Sequence, residues 1–204
     1  MDNLASHMAV TVLQFVVLFL DVILGIIACK IRKEDMAEKE PVAEKLPSNA
    51  EHATPTAWEE ARRRLAEGQW YWLATTRPDG RPHVMPVLAV WLEGALYFSA
   101  RAITRKGKNL AHNAHCVMTV DSGDVHLVVE GEAAKISDNA KLQRVAEVYA
   151  SKYGWHVTVR DGVFDAEYGA PTAGPPPFNV YEVTPSRVFG FGTDETFSPT
   201  RWRF

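Results

Sequence analysis

Residues 71–100, YWLATTRPDGRPHVMPVLAVWLEGALYFSA, hold three short apolar runs, Tyr71–Thr76, His83–Trp91 and Ala95–Ser99, broken by Arg77-Pro78-Asp79-Gly80 and Leu92-Glu93-Gly94. Each run is alternating or continuously apolar, and each break carries the proline, aspartate or glycine that a tight turn demands. The runs are therefore expected to pair as antiparallel hairpins. Further along, Cys116–Asp121 and Val125–Ile136 flank Ser122-Gly123-Asp124, and Asn179–Thr184 and Arg187–Phe191 supply two more strands. Short antiparallel strands in this number favour a closed or partly closed barrel, because closure removes the edges an open sheet exposes.

Helices interrupt this mostly β pattern. Thr56-Ala57-Trp58-Glu59 has the capping-box spacing and predicts a helix to about Glu67, with Trp58, Ala61 and Leu65 on one face and Gly68 as its stop. A short helix is expected from Arg105 to Asn113 and a longer one from Asp138 to Tyr153, where Leu142, Val145, Ala146, Tyr149 and Tyr153 make a core-facing stripe. Gly154–Phe178, with its proline-rich run at 170–177, reads as a long irregular surface loop, a kind that is uncommon unless functional. Thr193–Phe204 forms a tail.

The chain has 204 residues, 47% of them apolar, and a net charge of −3. That suits one globular domain plus an appendage and gives no electrostatic reason to expect a nucleic-acid partner. Cys29 and Cys116 show no zinc or redox spacing, so neither a disulfide framework nor a metal site is indicated, and a reducing compartment fits. The appendage is residues 1–33. Within it Ala9–Ala28 is nearly unbroken hydrocarbon, interrupted only by Gln14 and Asp21, and is long enough for a transmembrane helix. Lys30, Arg32 and Lys33 follow, whereas Met1–Met8 has no basic side chain apart from His7. The positive-inside rule therefore places the rest in the cytoplasm, tethered to the inner face of the cell membrane. Two other readings stay open: a lipoprotein signal ending at Cys29, which lacks the basic leader, and an extension foreign to the domain. Residues 34–54, rich in Glu, Lys, Ala and Pro, are expected to be a disordered or loosely helical polar linker, leaving 55–204 as the folded domain.

Chemistry concentrates in Ser99-Ala100-Arg101-Ala102-Ile103-Thr104-Arg105-Lys106-Gly107-Lys108-Asn109, a strand end running into a basic helix start. Hydroxyls, cations and unpaired helix amides together favour an anion such as phosphate; a solvated basic helix face is the alternative. In Pro82–Val87 prolines interrupt a strand, freeing backbone groups for the polar rim of a flat heterocycle or merely bending the barrel. His112 and His115 lack a nearby carboxylate and make a poor metal pair. No Gly-x-Ser-x-Gly or Cys–His nucleophile arrangement is present, which counts against hydrolase chemistry. Trp70, Tyr71 and Trp72 read as core and dimer-interface residues.

In this order, LATTRPDGRPHVMPV (73–87), LYFSARAITRKGKNLAHNAHCVMTV (96–120) and LVVEGEAAKI (127–136) resemble the split-barrel superfamily that includes pyridoxamine 5′-phosphate oxidase. More narrowly they resemble its actinobacterial branch, whose members bind the deazaflavin coenzyme F420 or FMN. The resemblance covers Thr56–Phe204, with Phe197–Phe204 as a subgroup-like tail. It implies an FMN-binding split β-barrel that forms a homodimer. It implies a cofactor phosphate held by Ser99, Thr104, Arg105, Lys106 and Asn109, and a ring lined by His83, Met85, Pro86 and Val87. Trp202 and Arg203 would reach in from the partner subunit. The implied activity is hydride transfer between F420, or alternatively FMN, and an electron-poor C=C or C=N bond of a small planar substrate. Such chemistry requires no catalytic side chain; Tyr168 is a candidate proton donor. The C-terminus lacks the extended signature of true pyridoxamine-phosphate oxidases, which counts against vitamin B6 oxidation. An FMN-dependent enzyme of the pyridoxamine-phosphate-oxidase type and a non-catalytic, membrane-tethered flavin carrier or sensor are the alternatives.

Overall fold

Burial along residues 71–76 follows the expected period of two: Tyr71, Leu73 and Thr75 face inward and Trp72 outward. The computed structural model describes residues 40–47, 54–166, 174–193 and 197–204. In chain order its elements are β1 (Val42–Lys45), α1 (Trp58–Glu67), β2 (Tyr71–Thr76), β3 (Pro82–Val87), β4 (Ala89–Leu92), β5 (Ala95–Ala100), α2 (Arg105–His112), β6 (His115–Asp121), β7 (Val125–Ile136), α3 (Asn139–Tyr153), β8 (Thr158–Arg160), β9 (Val163–Asp165), β10 (Asn179–Gly192) and β11 (Thr200–Arg203). The proposed membrane segment, residues 9–28, lies outside the described residues. Among those described, no helix is long and apolar enough to cross a membrane.

The strand pairings trace a ring. β3 pairs with β2, β2 with β6, β6 with β7, β7 with β10, β10 with β5 and β5 with β4, all antiparallel. β4 follows β3 after the single residue Leu88, so one stretch of chain, 82–92, closes the circuit by pairing with β2 through its first half and β5 through its second. The expected single strand His83–Trp91 is thus two strands meeting at a split, and the architecture is a split barrel. Leu73, Phe98, Met118, Leu127, Val129 and Val183 belong to its main apolar cluster. On its outer side α3 packs Leu142, Val145, Ala146 and Tyr149 against Val90, Tyr97 and Val180. Each large aliphatic group buried this way contributes about 1.5–3 kcal/mol. Asp138 caps α3 by accepting from the Lys141 amide at 2.6 Å, and left-handed Gly154 (φ 64°) ends it.

Several expectations are corrected. The linker assigned to residues 34–54 contains β1, which pairs with β11, so the folded domain includes residues from Val42. The tail likewise contains β11, paired on its other side with β10. Asn179–Thr184 and Arg187–Phe191 are one strand, β10, with a bulge between Pro185 and Arg187, where a residue lacking an N–H is tolerated. Opposite the bulge, a Cβ on Gly131 would collide with the Thr184 carbonyl, so only glycine fits. The stretch read as loop includes the β8–β9 hairpin, turned by Asp161 (φ 50°) and Gly162 (φ 73°). Finally, the capping box does not form: Ala57 caps α1 without a side-chain bond, and the Thr56 hydroxyl donates instead to the Ser198 carbonyl.

Candidate functional site

The end of β5 and the start of α2 build a pocket of about 200 Å³ walled by His83, Met85, Ser99, Ala100, Arg101, Thr104, Arg105 and Lys106. The local fold follows from three residues. Thr104 caps α2: its Oγ1 accepts from the Gly107 amide at 3.3 Å and donates to the Arg101 carbonyl at 2.7 Å. Gly107 allows the turn to close on the helix, since a Cβ there would lie 2.7 Å from that same carbonyl. With Gly107 taken by the cap, the Arg105 and Lys106 amides have no partner among the described residues, as the first turn of a helix requires.

Asn109, one helical turn on, is fully buried and anchors α2 to β2 by donating from Nδ2 to Thr75 Oγ1 at 2.9 Å; its Oδ1 has no partner. Thr75 in turn sits across the hairpin from His83, 3.5 Å from its Nδ1. Burial lowers the Lys106 ammonium below the ordinary lysine value. It also depresses the His83 imidazolium, and Arg77, Lys106 and Arg105 push the same way. At the far rim, Arg101 Nη1 lies 3.0 Å from where a Cβ on Gly174 would be, so the described end of the proline-rich stretch borders the pocket.

Of the residues expected at the site, the fold brings six into one pocket wall: His83, Met85, Ser99, Thr104, Arg105 and Lys106. Asn109 stands behind the wall as a buried brace. Val87 and Pro86 are not in it. Val87 points into the barrel core, and Pro86 is exposed opposite Trp72. Trp202 is corrected outright: it is fully buried in its own barrel, packed on Trp58 and Phe197, with Nε1 donating to the Thr56 carbonyl at 3.1 Å. β11 alternates, so Trp202 faces in while Arg201 and Arg203 face out, and both arginines are ion-paired with Glu44 of β1. Arg203 is therefore engaged locally. Tyr168 lies outside the described residues. The residue overlooked in the sequence is Thr75, whose signal was an inward-facing hydroxyl directly opposite His83. His115 opens β6, 3.5 Å from Glu132, apart from the pocket. A second, 430 Å³ groove, lined by Thr75, Thr76, Pro82, Cys116, Glu130 and Arg187 among others, lies beside the β10 bulge.

The donor set fits a phosphate. Two free amides and three cationic side chains converge, and no carboxylate lines the pocket among the described residues.

Comparison with known proteins agrees on the fold. Among solved structures, a conserved hypothetical protein from Mycobacterium tuberculosis matches with a TM-score of 0.55 at 16% identity, over 72% of this chain and 90% of that one. A heme binding protein from Mycobacterium smegmatis matches with a TM-score of 0.52 at 20% identity, over 72% and 58%. A NimC/NimA family protein from Clostridium acetobutylicum gives 0.50 at 20% identity, over 66% and 87%. No curated protein matches the sequence. The family model for pyridoxamine 5′-phosphate oxidase matches residues 57–192, which includes all of the pocket wall and most of the barrel, and the chain therefore belongs to that family.

Proposed function

We propose that this protein is an oxidoreductase that binds the deazaflavin F420 and transfers a hydride between it and an electron-poor C=C or C=N bond of a small planar organic substrate. The family is one of flavin-binding oxidoreductases. The observation that carries the reading is the convergence of Ser99, Thr104, Arg105 and Lys106, with two unpaired helix amides, in one pocket. When bound, the cofactor supplies the hydride, and the protein's task is to bind, orient and exclude water. The two free amides hold the phosphate oxygens, Thr104 fixes the turn that presents them, and Arg105 and Lys106 neutralise the charge. Asn109 and Thr75 keep α2 fixed against β2. At about 200 Å³ the pocket suits the phosphate end, leaving the ring to lie outward along β3 beside His83 and Met85. Arg101, Arg105, Lys106 and Lys108 together make a longer cationic strip than a single phosphate needs, which favours F420, with its acidic polyglutamate tail, over FMN.

The same proposal includes a homodimer. Trp70 and Trp72 are 70% and 52% exposed, and Val84 and Pro86 of β3 are exposed on the same face as Trp72, an apolar patch of the kind that marks an interface. It also includes a tether: residues 9–28 would hold a cytoplasmic domain at the membrane, which cell fractionation with and without residues 1–33 tests. Fluorescence titration with F420 and FMN tests the cofactor. Saturable F420 binding is expected; FMN binding without F420 binding would reverse the assignment, and binding of neither would refute it. Stopped-flow oxidation of the prebound reduced cofactor separates an enzyme from a carrier, which would show no acceptor-dependent rate.

A further inference from the structure

Among the described residues of the pocket wall, His83 is the only group whose charge changes near neutral pH. Every charged group facing it is cationic: Arg77 after β2, Arg105 and Lys106 from α2, and Arg101 across the pocket. From β2 it meets only the Thr75 hydroxyl, whose oxygen already accepts from Asn109. An imidazolium in the empty pocket is thus opposed by burial and by its neighbours, with no carboxylate to offset them. A dianion seated among the same cations reverses the sign of that field. An opposite charge within about 4–6 Å moves a pKa by about 1–3 units, enough to carry a histidine across neutrality.

We propose that His83 is a proton-linked ligand of the anion: neutral while the pocket is empty, it takes up one proton from solvent as a phosphate dianion enters and then donates to it as the imidazolium. This rests on reading the pocket as a phosphate site, and it moves His83 from the ring of the cofactor to its phosphate end. Two consequences follow from linkage. Affinity for a dianion falls as pH rises, by up to about tenfold per unit between the two titration points of His83. A ligand carrying the same ring without the phosphate shows no such slope.

Sulfate is the probe, because it has no proton equilibrium near neutral pH and any proton taken up belongs to the protein. The imidazole Cε1–H resonance of His83, identified by its loss in His83→Gln, is followed against pH in sodium sulfate and in sodium chloride of equal ionic strength. The expected result is a midpoint about one unit or more higher in sulfate. Sulfate affinity should decline with pH in the wild type and run flat in His83→Gln. In Lys106→Ala the chloride midpoint should rise, since a repelling cation is gone, and the sulfate-induced shift should shrink. If sulfate moves the Thr104 and Lys106 amide resonances but leaves the His83 midpoint where chloride puts it, proton linkage is wrong and the phosphate site stands. If sulfate moves none of them, both readings fall.

Discussion

Replacing Lys106 by alanine should weaken ligand binding and leave the fold as stable as before or slightly more so. The ammonium sits in the pocket wall, and burial has already lowered its pKa below the ordinary value. A lysine with a folded-state value below its unfolded one weakens the fold while it is charged. That cost is fully present below the folded value and fades as pH rises toward the ordinary 10.5. Removing the amine therefore removes a cost at neutral pH. On the proposed reading the same amine would face the bound phosphate, and a hydrogen bond between charged partners is worth about 1.5–3 kcal/mol. At about 1.4 kcal/mol per factor of ten, the variant should bind FMN or F420 about 10–150-fold more weakly. Riboflavin supplies the control, since it carries the FMN ring without the phosphate and its affinity should not change. Fluorescence titrations of both ligands, with thermal melts alongside, give the two readouts. Loss of riboflavin affinity to the same degree as FMN would place the lysine at the ring, and unchanged FMN affinity in a folded variant would refute the phosphate assignment.

Gly131→Ala should cost about 1–3 kcal/mol in urea denaturation, because the new Cβ meets the Thr184 carbonyl where β7 crosses the β10 bulge and both backbones are held by pairing; an unchanged midpoint would mean the bulge is pliant. If the proposed homodimer forms through the exposed apolar patch, Trp72→Asp should convert it into a monomer in light scattering after gel filtration, since it puts a charge into that patch; a dimeric mass for the variant would move the interface elsewhere. Lys152 Nζ donates to the Tyr71 hydroxyl and the Ala89 carbonyl, both at 3.1 Å, and burial pushes its pKa down to about 8. Its penalty is whole below about 8 and relieved toward 10.5, so the melting temperature of the wild type should gain on that of Lys152→Met across this range. A difference that stays level with pH would show that the amine is not desolvated.

What the sequence disclosed depended on how local the signal was. Tyr71–Thr76 and Val125–Ile136 were read with the bounds they have, because alternation and flanking turns lie within a few residues. The Ser99–Asn109 cluster was equally legible, since a strand end, a hydroxyl cap and a helix start are consecutive in the chain. β1 was missed because it has no partner near it in sequence: it pairs with β11 across the whole domain, and only tertiary contact makes it a strand; β11 pairs with β10 as well, but a stretch without strand patterning separates the two in the chain. The role of Trp202 went wrong for the same reason: its inward direction is set by register against Val188 of β10, not by its neighbours in the tail. The Asp161-Gly162 turn, by contrast, was an ordinary hairpin signal obscured by the proline-rich run that follows.

The junction at Leu88 makes the barrel unequal around its circumference. β10 is flanked by β7 along one side and by β5 and then β11 along the other, whereas β3 has a hydrogen-bonded neighbour on one side only. Amide exchange should accordingly be quickest along residues 82–87 and slowest along 179–190.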